Sequence, residues 1–180
     1  MASKIKVDEL ETGNGSGTIA LQNQLSGMTT ASLPTLTSAE MPTGSVLQVV
    51  NATTTTEVSN STNTFVNTGL TATITPSSTS SKILVMVNQN GVFKSDGSAN
   101  NALSIKLLKD STDISLITGS TGYTATAIQN YDATVSTSYL DSPSTTSATT
   151  YKTQFKSANN TSVVAVNRGS TESTITLMEI

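Results

Sequence analysis

The sequence predicts an all-β protein, an antiparallel jelly-roll-like sandwich preceded by an extended N-terminal arm. Three observations predict it. Ser and Thr supply about a third of the 180 residues, and Thr is favoured on exposed sheet. Short β-branched runs recur every 8–12 residues or so with Gly, Asn, Asp or Pro between them, as in sandwiches and barrels. No stretch sustains a helical period.

The segment Lys82 to Lys94 organises the rest. Ile83, Val85 and Val87 point to one side of an extended chain, Leu84 and Met86 to the other. Both sides are apolar, which predicts a central strand covered on both faces. The β-branched residues and the Asn90-Gly91 that follows argue against a helix.

In chain order, Met1 to Pro42 lacks a core of its own and reads as an arm and linker, leaving 43–180 as the sandwich domain. Within the arm, Thr12 to Thr18 is a hinge with three Gly; it lacks the Gly-Lys-Ser/Thr ending of a phosphate loop. Ile19 to Gly27 fits a short helix or a strand equally well. Pro34 and Pro42 exclude regular structure around them. Strands are then expected at Ser45–Val50, more weakly at Thr54–Ser59, at Phe65–Val66, at Leu70–Thr75 and at Lys82–Lys94. Ala102–Lys109 and Asp113–Ile117 flank a short Asp/Ser turn, the best hairpin signal in the chain. Tyr123–Gln129 and Ala133–Leu140 are expected to pair around Asn130-Tyr131-Asp132. A loop from Asp141 to Ala148 precedes strands at Thr149–Lys156, Thr161–Val166 and Ser173–Ile180.

Composition limits the chemistry. Hydrophobic residues make up 35% and charged residues 12%, both low for a globular domain. So thin a core predicts that burial is completed between chains. Net charge is −3 with nine basic residues, only Arg168 being Arg, and the sequence shows no basic patch. That argues against nucleic acid. No long apolar or polybasic segment suggests membrane insertion, and Met1–Leu10 lacks the apolar region of a secretory signal. Without Cys or His, disulfides, thiolate sites, His ligands and His-based triads are excluded.

Acidic side chains are the remaining catalytic material. Asp110 and Asp113 sit at a hairpin turn, where Asp bonds the local backbone; Asp96, Asp132 and Asp141 read as loop residues. No Asp-x-Asp-x-Asp run marks a calcium loop. The expectation is no catalytic residue, no metal and no cofactor, hence a protein that is not an enzyme. Tyr123, Tyr131 and Tyr139 recur at eight-residue intervals. With Asp132 they are candidate receptor contacts, because Tyr gives large contact area at low entropy cost; the alternative is ordinary half-buried strand aromatics.

Lys4 to Glu11, the Gly/Ser stretch after it, Leu33-Pro34 and Met41 to Val50 resemble the N-terminal region of fibre proteins from marine, cyanophage-like bacteriophages. Ser80 to Val87 also fits. Thr150 to Lys156, Val164 to Arg168 and Ser173 to Ile180 resemble the closing strands of such fibres. The resemblance implies a homotrimeric virion appendage assembled in the host bacterial cytoplasm. Its arm would dock on other phage virion proteins through Ile5, Val7, Leu10, Ile19 and Leu21, and its β-domain would meet a host surface glycan or protein. The chain is short and lacks shaft repeats, which speaks against a long tail fibre and raises a short tail fibre, a head fibre or a capsid decoration protein; the leading reading is a short tail fibre or receptor-binding protein. The alternative is a head fibre or capsid decoration protein that stabilises the shell.

Overall fold

The computed structural model describes residues 41–97, 99–159 and 162–180. Met41–Ile180 forms one compact unit. Ile5, Val7, Leu10, Ile19 and Leu21, the residues expected to dock on the particle, lie outside the described residues, as does everything before Met41.

Ten strands follow in order: β1 (Gln48–Thr54), β2 (Val58–Asn60), β3 (Val66–Ile74), β4 (Ile83–Lys94), β5 (Asn101–Lys109), β6 (Thr112–Thr124), β7 (Tyr131–Asp141), β8 (Thr149–Ser157), β9 (Val164–Val166) and β10 (Ser173–Glu179). They form two antiparallel sheets, a β-sandwich. One sheet runs β3-β8-β5-β6. In the other, β4 has β10 and then β1 on one flank and β7 on the opposite flank. β7 already pairs Phe93 and Lys94, so β9, which pairs the same two residues, takes the flank that β10 leaves after Asn88, and it carries β2.

Period-2 alternation explains which side chains turn inward. Ile83, Val85 and Val87 of β4 meet Leu70, Ala72 and Ile74 of β3, Leu107, Tyr151, Ile175 and Leu177 in one buried cluster. Val92, Leu103, Ile105, Phe155, Val164 and Val166 make a second. Each fully buried aliphatic side chain contributes roughly 1.5–3 kcal/mol of transfer free energy. Between the clusters runs a buried polar layer. Gln89 Nε2 donates to Asn167 Oδ1 (2.9 Å) and Ser173 Oγ (2.8 Å), and Gln89 Oε1 accepts from Thr153 Oγ1 (3.2 Å). Thr153 Oγ1 in turn meets Thr68 Oγ1 at 2.6 Å.

The expected central strand is β4, paired on both flanks, but only one of its faces enters the core. Leu84 and Met86 on the other face are half-buried. The two separate strands expected at Phe65–Val66 and Leu70–Thr75 are one strand, because Gly69 (φ 89°) absorbs a register shift between Asn67 and Thr71 against β8. The strand expected over Thr54–Ser59 shrinks to Val58–Asn60. The expected pairing of Tyr123–Gln129 with Ala133–Leu140 is wrong. β6 continues its hairpin with β5 as far as Thr124, residues 125–130 join no ladder, and β7 pairs β4 instead. The β5–β6 hairpin itself forms as expected, with Asp110 (φ 53°) in its two-residue turn. Asp141 closes β7 rather than opening a loop; it is buried, accepting from Tyr151 Oη at 2.7 Å and pairing with Lys109 at 3.1 Å. Burial pushes the Tyr151 hydroxyl pKa up, and the bond to the Asp141 carboxylate raises it further.

Candidate functional site

The outer face of the β3-β8-β5-β6 sheet collects the side chains best suited to hold a ligand. On β8, the inward residues Tyr151, Thr153 and Phe155 force Lys152, Gln154 and Lys156 outward. On β5, inward Ile105 and Leu107 leave Lys106 outward. Registers then set two rows across the face. Asn67, Gln154, Lys106 and Leu116 stand side by side, and so do Thr71, Lys152, Leu108 and Asp113.

Phe65, immediately before β3, anchors the end of this face. Lys106 Nζ sits 4.2 Å from its ring centroid and Lys156 Nζ 5.0 Å, a cation–π arrangement from two strands. Lys106 also pairs with Asp113 (2.8 Å), and Lys156 Nζ donates to Asn63 Oδ1 (2.7 Å). Gln154 Nε2 donates to Asn67 Oδ1 at 3.0 Å. Two hollows open nearby. One, of about 320 Å³, is lined by Phe65, Lys106, Asp113, Ile114, Ser115 and Leu116. The other, of about 240 Å³, includes Asn67, Gly69, Thr71, Thr150 and Lys152.

The tyrosines read from the sequence do not make one patch. Tyr123 is 53% exposed and donates from Oη to Asn100 Oδ1 (2.8 Å), and Tyr131 is 42% exposed with its ring against Gly122. These two lie together at one end of the sandwich. Asp132 points to the opposite side of β7 from Tyr131 and pairs at 3.3 Å with Arg168, whose guanidinium stacks 3.5 Å over the Phe93 ring. Tyr139 packs against the core.

The other acids with defined partners serve the fold. Asp110 Oδ1 accepts from Thr150 N, and Glu57 Oε2 from Gly169 N. Buried Glu179 accepts from Gln48 Nε2, Ser77 N, Ser77 Oγ and Ser81 Oγ at 2.5–2.7 Å. Among the described residues no group of three acidic, His or Cys side chains gathers to hold a metal, and no helix is long and apolar enough to cross a membrane.

Sequence reasoning missed the lysine face because its members come from strands far apart in the chain. The available signal was the Lys152-x-Gln154-x-Lys156 alternation, a polar face waiting for a register. No family model matches this chain, and no curated protein is similar to it.

Proposed function

We propose that this chain is a non-enzymatic bacteriophage virion protein, a short tail fibre or receptor-binding protein. Its N-terminal arm attaches it to the particle, and its β-domain meets the host surface. The observation that carries the reading is where the fibre-like sequence blocks fall. Met41–Val50, Ser80–Val87 and Ser173–Ile180 are scattered in the chain, yet they supply the adjacent strands β1, β10 and β4. Val164–Arg168 adds β9 to the same sheet, and Thr150–Lys156 is the inner strand β8 of the other. Blocks that converge in space are what a shared fold requires.

The strand orders β1-β10-β4-β7 and β3-β8-β5-β6 support a jelly roll, the architecture of many capsid and lectin domains. The partnered acids support a binding rather than a hydrolytic role. A homotrimer is part of the proposal. It is supported by the outer face of the β1-β10-β4-β7 sheet, where twelve side chains in three registered rows carry no charge.

Immunogold labelling of intact particles with antibody to this chain tests the reading. Gold at the tail or its base is the expected result. Gold over the shell would replace it with the capsid-decoration reading, and no gold on particles would end both.

A further inference from the structure

The geometry points to an acidic polysaccharide as the ligand of the Phe65 face, with Lys152 and Lys156 taking carboxylates on successive parts of one glycan chain. The inference rests on the host-surface reading above and names the chemistry of what is bound there.

Charge comes first. This face carries Lys106, Lys152 and Lys156 against Asp113 and, at its end beside Thr150, Asp110, so 3 − 2 = +1, on a chain whose net charge is −3. Asp113 neutralises Lys106. Among the described residues no carboxylate lies within ion-pair distance of Lys152 or Lys156. Lys156 is nonetheless fixed in place, by Asn63 Oδ1 and the Phe65 ring, while Asn63 Nδ2 is itself held by Ala158 O. A positioned cation without a counter-charge is a prepared anion site, since little side-chain entropy is left to lose on binding.

Spacing selects a chain rather than a single ion. Lys152 and Lys156 are four residues apart on one strand, about 13 Å, too far to clasp one carboxylate. Between them Gln154 is paired with Asn67, presenting amides suited to sugar hydroxyls. Asn67 of that amide pair lines one hollow together with Lys152, and Lys106, registered beside Gln154, lines the other. Leu116, opposite Lys106 and 63% exposed, offers an apolar rim for the C–H face of a sugar ring.

A single-stranded nucleic acid is the competing polyanion. It holds by stacking bases on open aromatic rings, and here the ring beside the lysines, Phe65, is already engaged by two ammonium groups. Three lysines also make a weak phosphate track.

The test is titration of the full chain with oligogalacturonate at low and moderate salt, with neutral dextran oligomers and a single-stranded oligonucleotide alongside. Oligogalacturonate is expected to bind, dextran not, and the Lys152→Gln/Lys156→Gln pair to weaken binding at least tenfold. Lys82→Gln removes an exposed lysine elsewhere and should leave binding within twofold. Absence of oligogalacturonate binding, equal binding by the double variant, an equal loss in Lys82→Gln or tighter binding of the oligonucleotide would each overturn the inference. Particle labelling is unaffected by any of these results, so the two readings fail separately.

Discussion

At the residue scale, Glu179 shows how a charge can be buried without a cation. Burial alone would push its carboxyl up, but hydrogen bonds from Ser77, Ser81 and Gln48 outweigh that and hold it at about 2, against an ordinary 4.5. A carboxyl depressed on folding contributes its full stability above about 4.5 and loses it as pH falls from there towards 2. The loss should be on the order of 3 kcal/mol. Urea unfolding at pH 7 and at pH 2.5 should therefore show a marked drop in midpoint for the native chain. Glu179→Gln should be destabilised at pH 7 by about 1–3 kcal/mol, because an amide NH₂ then faces donors. Its midpoint should also fall less between the two pH values. A variant with the native pH slope would mean that other carboxyls set it.

At the scale of elements, strand positions were legible wherever alternation was clean. β4, β8 and β10 show it in Ile83-x-Val85-x-Val87, Tyr151-x-Thr153-x-Phe155 and Ile175-x-Leu177. Legibility failed where a turn-like residue sits inside a strand, as Gly69 does in β3, and where partner choice depends on the other sheet, as for β7. What could not be read at all is which side chains share an outer face. Registers align Val49, Met178, Leu84 and Leu140 across four strands, with Asn51, Thr176, Met86 and Ser138 next, then Thr53, Thr174, Asn88 and Ser136. Val49 and Leu140 are each about half exposed. Three uncharged rows, one of them apolar, let like-charged copies approach there with little repulsion. Val49→Lys/Leu140→Lys places two cations there without touching the core. Light scattering should report the native chain as a trimer and the double variant as a monomer with unchanged circular dichroism. A variant that keeps the native mass would remove this face from the interface.

At the scale of the whole molecule, the question is what fixes one sheet on the other. Apolar contacts alone tolerate sliding, since hydrophobic burial has no direction. The polar layer does have direction. Gln89 on β4 is fully buried between Val87 and Val92, and it links Thr153 of one sheet to Ser173 of its own and to Asn167 beyond β9. Asn167 continues the path to Thr56 O at 2.8 Å, so the layer also ties down the segment between β1 and β2. None of this was visible in the sequence, where Asn88-Gln89-Asn90 reads as the polar end of an apolar strand; which of the three turns inward depends on the register. Every buried side-chain polar atom among the described residues has a partner, so the layer locks the two clusters at little net cost. Gln89→Leu keeps similar volume and adds apolar surface to both clusters, yet it strips partners from Thr153, Asn167 and Ser173. If satisfaction of the layer matters more than apolar area, this variant should lose about 2 kcal/mol, while Gln154→Leu on the outer face should change stability by less than about 0.5 kcal/mol. Urea midpoints of the two variants separate the alternatives. A Gln89→Leu chain as stable as the native one would make the layer incidental and leave packing alone to set how the sheets meet.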